Sequence, residues 1–308
     1  MADRLTLALD IGGTKLAVAL VDPAGTVVYK RTRPTPRCVA PEELWAVVEE
    51  MMTDATRRAG GMIGAVGIAA PGPLDLAAGT TSPVNIACWR NFPLRDRVTA
   101  AAPAVPVHIA GDALCMALGE HWRGAGRDAR FLLGMVVSTG VGGGLVLDGA
   151  PYYGRTGNAG HVGHVVVEPG GEPCSCGGRG CVESMAAGPA LVRWARANGW
   201  AAPADAAASE LADAAKTGDA VAALAFRRAA TALAAMIASV AAVCDLDLVV
   251  IGGGVARSGP LLFEPLRTAL ASYARLDFLA GLRVVPAALG ADAGLVGAAA
   301  LAGIAEQR

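Results

Sequence analysis

A chain of 308 residues with 54% hydrophobic and 17% charged content is long enough for two compact domains and carries ample core. Its formal net charge of −1 and pI near 6.4 exclude a strongly basic surface, so neither nucleic acid nor a membrane is an expected partner, and small neutral or anionic ligands are. The seven cysteines are odd in number, and Cys38, Cys88, Cys115 and Cys244 lack a framework spacing. With an opening apolar run too short for a signal peptide, this points to a reducing cytoplasm rather than a disulfide-stapled secreted protein.

In chain order, residues 4–9 read as a strand that ends at Asp10-Ile-Gly-Gly-Thr-Lys15 and resumes from Leu16 to Val21, a glycine-turned hairpin. Pro41 to Arg58 has helical spacing, and Ile63 to Ala69 and Val105 to Ile109 read as buried strands bounded by Gly or Pro. Asp112 follows, where a helix begins. Its simplest reading is an N-cap, but the position also puts a carboxylate at the mouth of a sheet. The hairpin layout recurs as strand Leu133 to Val137, a polar turn over Ser138 to Gly144 and strand Leu145 to Leu147, which suggests a duplicated fold.

The segment His161-Val-Gly-His164 and Cys174-Ser-Cys176-Gly-Gly-Arg-Gly-Cys181-Val-Glu183 is dense in metal-ligand chemistry. Three thiolates and an imidazole suffice for a closed tetrahedral zinc site, and the tight Gly-rich spacing favours a metal knuckle over a disulfide pair or plain buried thiols. Beyond it, an Ala-rich helical region spans about Pro189 to Val243. A strand Leu246 to Ile251 then leads into Gly252-Gly-Gly254, and Ala291 to Ala305 reads as one more helix. A strand-to-glycine junction suits backbone contact with a phosphate or nucleotide ring. Asp10-Ile-Gly-Gly-Thr14 has neither Walker nor dinucleotide spacing. Its glycines still admit a phosphate, Thr14 offers a hydroxyl, Lys15 a charge, and Asp10 a water-mediated hold on magnesium. Three such glycine turns together suggest a nucleotide cleft.

The motifs Asp10-Ile-Gly-Gly-Thr-Lys15, Ala70-Pro-Gly-Pro73, Gly111-Asp-Ala113, the Gly-x-His and Cys-x-Cys-Gly-x-x-Gly-Cys-x-Glu signature and Ile251-Gly-Gly-Gly254 together resemble the ROK (repressor, open reading frame, kinase) family of sugar kinases. The resemblance spans essentially the whole chain. It implies an α/β, two-domain actin-like and hexokinase-like (ribonuclease H-like) duplicated fold with a zinc knuckle. Residues 1–110 plus about 291–308 would form a smaller domain and residues 111–290 a larger one. It implies ATP and Mg2+ as cofactors, structural Zn2+, a cytoplasmic enzyme and a homo-oligomer, dimer or tetramer.

By the same resemblance Asp112 takes the proton from the sugar 6-hydroxyl as that oxygen attacks the γ-phosphate of ATP. Asp10, Gly12, Gly13, Thr14 and Lys15 face phosphates and magnesium, Thr139, Gly140, Gly142 and Gly143 hold the phosphate tail, and Gly253 and Gly254 lie near the adenosine. His164, Cys174, Cys176 and Cys181 hold zinc. Gly72, Asn85, Gly111, His161, His164 and Glu183 line the sugar, with Glu183 accepting from hydroxyls near C1 and C2. Two positions depart from the family pattern. His161 stands where the family has Glu, and Gly111 where it has Asn.

Both departures fall on the sugar, so the expectation is a 6-kinase for a modified hexose, with kanosamine, the 3-amino-3-deoxy analogue of glucose, preferred. Plain glucokinase is the alternative. A non-catalytic sugar sensor or repressor-related protein is the rival of another class. Retention of Asp112 and both hairpins weighs against the sensor, and the absence of room for a DNA-reading helix before Arg4 weighs against the repressor.

Overall fold

The computed structural model describes residues 4–37 and 40–306; the first three residues and Cys38, on which part of the leader and cysteine readings bore, lie outside them. The chain opens with β1 (Leu5–Ile11), β2 (Lys15–Val21) and β3 (Val27–Pro34), a meander in which β1 and β2 pair from Thr6↔Val21 to Ile11↔Leu16. Helix α1 (Pro41–Ala59) starts with Pro at its first turn beside Glu42 and Glu43. It ends on Arg57, Arg58 and a left-handed Gly60, each placed where the helix dipole and the unpaired terminal groups favour it. Then come β4 (Ile63–Ala70), a small ribbon of β5 (Leu74–Asp75) and β6 (Thr80–Thr81), α2 (Leu94–Ala101), β7 (Val107–Gly111) and α3 (Asp112–Arg123).

The second half repeats this plan. Strands β8 (Phe131–Val137), β9 (Val141–Leu147) and β10 (Ala150–Tyr152) form its meander. Four helices follow: α4 (Glu183–Ala186), α5 (Gly188–Ala197), α6 (Ala208–Lys216) and α7 (Ala220–Cys244). Then come β11 (Leu248–Gly252), α8 (Pro260–Tyr273), β12 (Arg283–Pro286) and α9 (Ala293–Glu306). The two five-stranded sheets have matching orders, β3-β2-β1-β4-β7 and β10-β9-β8-β11-β12, so the duplication suggested by the paired hairpins is present strand for strand. One core lies between the first sheet and α1 and α2, another between the second sheet and α4–α8, and a third between the sheets around α3 and α9.

Several boundaries differ from the sequence reading. The expected strand 105–109 is Val107–Gly111, since Pro106 lacks an N–H for the ladder. The expected strand 246–251 is Leu248–Gly252. The single Ala-rich region is three helices, broken at Gly199–Pro203 and at Gly218. Gly142, Gly143 and Gly144 belong to β9 rather than to the turn. They are needed there for close approach, because a Cβ at Gly144 would lie 2.2 Å from the Leu114 Cα on α3. Cys88 is disulfide-bonded, so a bridge exists where the scattered cysteine spacing suggested none. Helix α7 is long and apolar enough to cross a membrane by length and composition, but one face of it is buried against the second core.

Helices α3 and α9 cross almost backbone to backbone. A Cβ at Gly119 would sit 2.2 Å from the Ala293 carbonyl oxygen, and one at Gly297 only 1.6 Å from that of Cys115. Because the obstructing atoms are backbone, Gly297→Ala forces the helices apart and is expected to cost about 3 kcal/mol in urea unfolding. Gly303→Ala, later on α9 with nothing within 4 Å of its Cβ, is expected to gain about 0.5 kcal/mol from helix propensity. Equal effects of the two substitutions would contradict this packing.

Candidate active site

Asp10 lies near the end of β1 and Asp112 opens α3 directly after β7, so the first sheet delivers both carboxylates to the same end. Asp112 is the first helical residue, with Gly111 at the cap position. Its Oδ1 accepts from the N–H of Ala113 at 2.7 Å instead of capping the turn above. Asp112 is reachable by solvent, yet the protein packed around it desolvates the carboxylate and pushes its pKa up to about 6. Burial likewise lifts Asp10 to about 6, reinforced by the charge of Asp112 and opposed by Lys15. Cys115 is buried within the field of both acids, and burial and the two charges push its thiol pKa up, so it stays protonated. The first hairpin is braced where sequence reading saw nothing: the Thr35 hydroxyl donates to the Gly12 carbonyl at 2.6 Å and its N–H to Thr14 at 3.0 Å.

Two cavities flank the second hairpin. The smaller, of about 50 Å³, is lined by Gly72, Gly111, Asp112, Gly142, Gly143 and His161, together with Leu74, Ala113, Leu114, Gly157, Asn158 and Ala159. The larger, of about 630 Å³, has Ser138, Thr139, Gly254, Val255 and the N-terminal part of α5 on its walls, with Arg193, Arg196 and Arg257. The turn between β8 and β9 therefore separates a site holding the acid from a wider one. The Gly252–Gly254 loop is drawn against it. Gly253 has φ +96 and crosses the end of β8, where a Cβ would meet the Val137 carbonyl oxygen at 2.4 Å.

Among residues singled out in the sequence, Gly12, Gly13, Thr14 and Lys15 line neither cavity. Asn85 packs on Gly13, where an added Cβ would lie 2.3 Å from its Nδ2, and so sits at the first hairpin rather than in the small cavity. Asn158 escaped the sequence reading. Its side-chain amide pairs with both backbone groups of Leu74, accepting at 2.9 Å and donating at 2.8 Å, and its own carbonyl receives His161 Nδ1 at 2.8 Å. A carbonyl can only accept, so Nδ1 carries the hydrogen. In the neutral imidazole this tautomer leaves the acceptor lone pair on Nε2, the atom lying 3.1 Å from where a Cβ of Gly72 would be.

His164, Cys174, Cys176 and Cys181 bring four ligand atoms within 4.8 Å of one another, whereas His161 stays outside that cluster. Cys176 and Cys181 sulfurs are 3.8 Å apart, and Cys174 sulfur is 3.7 Å from His164 Nδ1. Tetrahedral zinc with metal–sulfur bonds near 2.3 Å has ligand edges of about 3.8 Å, so the donor set and its spacing fit that ion. Without a cation, burial and the neighbouring sulfurs push the Cys181 thiol up to about 12; three thiolates collected in one place call for a positive charge. Glu183 directs Oε2 to the Val141 N–H at 2.9 Å and Oε1 to the Ser175 hydroxyl at 3.3 Å, which puts it on the second hairpin and not on the wall of the small cavity.

Residues 6–304 match the ROK family. The chain is 36% identical over 309 residues to a glucokinase of Thermotoga maritima, covering 96% of both chains. It is 35% identical over 294 residues to an N-acetylmannosamine kinase of Yersinia pestis, covering 95% of this chain and 96% of that one. The crystal structure of a ROK family glucokinase from Streptomyces griseus in complex with glucose and AMPPNP superposes with a TM-score of 0.83 at 34% identity, covering 97% of this chain and 99% of that one.

Two expectations follow from the site. The purified protein should contain about one zinc per chain by elemental analysis, and Cys176→Ser should lose most of it; a metal-free wild type would contradict the tetrahedral assignment. Because the folded pKa of Asp112 lies above its ordinary value, the ionised form costs stability above about pH 6, and that cost fades as pH falls through the ordinary carboxylate range. Asp112→Asn should therefore raise Tm at pH 7.5 and leave it unchanged near pH 3.5, by calorimetry at both values.

Proposed function

Because the chain belongs to the ROK family, we propose that it is an ATP-dependent hexose 6-kinase, acting in the cytoplasm as a homo-oligomer. The observation that carries this reading is the partition of the cleft by the β8–β9 turn, with Asp112 in the smaller cavity and a nucleotide-sized space on the other side. The sugar would occupy the small cavity with its 6-hydroxyl toward Asp112, and ATP the large one with its phosphates over the turn. Residues 1–110 with 291–308 would close on residues 111–290 about α3 and α9, widening or tightening the small cavity as sugar enters.

In that arrangement the sugar O6 bonds to the γ-phosphorus, the bond from that phosphorus to the bridging oxygen breaks, and ADP leaves. Asp112, ionised at neutral pH because its pKa is about 6, receives the hydroxyl proton. Asp10, buried with a raised pKa and opposed by Lys15, is the residue to hold Mg2+ through water, and that ion would supply charge neutralisation at the phosphates. Zinc would be structural: with Nδ1 of His164 toward the sulfurs, Nε2 keeps its hydrogen and can donate to a sugar hydroxyl.

For the substrate, a modified hexose such as the aminosugar kanosamine is the preferred reading. His161 offers one neutral acceptor where the family pattern has a carboxylate, and Gly111 leaves open space, since nothing lies within 4 Å of an added Cβ. Glucose is the second reading, favoured by the 36% identity to a glucokinase. An ATP-coupled assay over glucose, mannose, N-acetylmannosamine, N-acetylglucosamine and kanosamine decides between them. The expected outcome is the highest kcat/KM on kanosamine, with Asp112→Asn lowering kcat by about 10³ or more while sugar binding persists. Faster turnover of glucose than of every aminosugar would leave the glucokinase reading, and absence of turnover on all five would remove the kinase assignment.

A further inference from the structure

Glu183 stands two residues beyond the last cysteine of the knuckle, at the start of α4, and its carboxylate joins two parts of the site. On one side Oε1 accepts from the hydroxyl of Ser175, the residue between Cys174 and Cys176. On the other, Oε2 accepts from the N–H of Val141, the first residue of β9 after the turn. Gly140 lies directly over the same oxygen, where a Cβ would be 2.7 Å away. The turn is otherwise closed by the Ser138 N–H donating to the Gly140 carbonyl at 2.8 Å and by the Ser138 carbonyl receiving the Gly188 N–H at 2.7 Å. The backbone carrying Glu183 is itself set by the knuckle, because Cys181 bridges Val166 and the Val182 N–H donates to Val165 at 3.0 Å.

We propose that Glu183 is a positioning residue for the β8–β9 turn, through which the metal-binding knuckle sets affinity for the nucleotide. This rests on the reading that the turn receives the phosphates. A carboxylate aimed at a phosphate would repel it. Here Oε2 is engaged by a backbone N–H and acts through the shape of the turn, with no contact to the anion. A charge-assisted hydrogen bond to a loop amide is worth enough to bias one conformation of that loop. Loss of the knuckle frees both Ser175 and the α4 start, so the turn loses its anchor even though no ligand of the metal touches the nucleotide.

The test uses the intact zinc-loaded protein and titrates Mg2+–AMPPNP without sugar, and glucose without nucleotide, by calorimetry. Glu183→Ala is expected to weaken AMPPNP about tenfold with full zinc content, while Glu183→Gln, whose amide oxygen can still accept from Val141, stays within about threefold of wild type. Chelating the zinc should weaken AMPPNP in wild type and have a much smaller effect in Glu183→Ala, since the connection is already cut. Hydrogen exchange at the Val141 amide should accelerate in Glu183→Ala and in chelated wild type, a readout that also serves if the alanine variant folds poorly. Unchanged AMPPNP affinity in Glu183→Ala, or equal additional losses on chelation in both proteins, would overturn the proposal. A wild type that binds no AMPPNP would instead overturn the reading of the turn as a phosphate site.

Discussion

The crossing of α3 and α9 is the constraint on which the remaining geometry depends. Both helices close one copy of the duplicated unit, and they meet where Gly119 and Gly297 let backbone approach backbone. Asp112 is the first residue of α3, so its position is fixed by that crossing. Asp10 is held from the other helix, since a Cβ on Gly294 in the first turn of α9 would lie 3.0 Å from its carboxylate. Close packing of the two helices thus brings two acids into one desolvated region and lifts both pKa values to about 6. The region is electrostatically unfavourable when empty and favourable to a cation or to a proton in transit.

The duplication supplies two hairpins at equivalent places, and the structure uses them differently. The first, over Gly12–Lys15, is braced from within its own half by Thr35 and covered by Asn85. The second is open on two sides, so that Thr139 faces the large cavity and Gly142 and Gly143 face the small one. Identical strand order does not impose identical function, because the loops that follow the strands differ. After β9 and β10 the chain runs into the Cys knuckle and α4, whereas after β2 and β3 it runs straight into α1. The inserted segment supplies His161, His164 and Glu183, all absent from the first copy.

Features carried by local chemistry were legible in the sequence. Glycine turns between apolar runs marked both hairpins, because the layout occurs twice, and the C-x-C and C-G-G-R-G-C spacing marked the ligand cluster, because tight turns let nearby sulfurs converge. Elements whose role is tertiary were not. β3 alternates half-buried and exposed positions, with Lys30 outward and Arg31 and Arg33 on the half-buried face paired with Glu50 of α1, a charged edge strand that carries little apolar signal. The glycines of β9 read as a turn because their need is set by Leu114 and Val162 from distant parts of the chain. Asn158 looked like one polar residue in a loop, and only the fold brings Leu74, 84 positions earlier, within reach of its amide. Glu183 was visible as a site residue, but its bond to Val141 spans 42 positions and no spacing rule encodes it.

The substitution at His161 is best understood through its fixed tautomer. A carboxylate offers two acceptor oxygens and a full negative charge, while a neutral imidazole with its Nδ1–H bound to the Asn158 carbonyl offers one acceptor and no charge. A sugar placed here as proposed would therefore meet His161 through a single well-aimed donor. Any attraction for a cationic ring substituent has to come from elsewhere in the small cavity, and Asp112 on its wall is the charged group present to supply it. Space at Gly111 removes the steric objection to such a substituent but adds no hydrogen bond. With the sugar placed as proposed, a hydroxyl and an amine would both provide the one donor His161 can accept, so selectivity between them would be decided by how each ligand meets the field of Asp112 and the open volume beside it. In the proposed placement of the sugar, the corner that departs most from the family pattern would also be the one where charge, rather than hydrogen-bond count, separates the competing sugars.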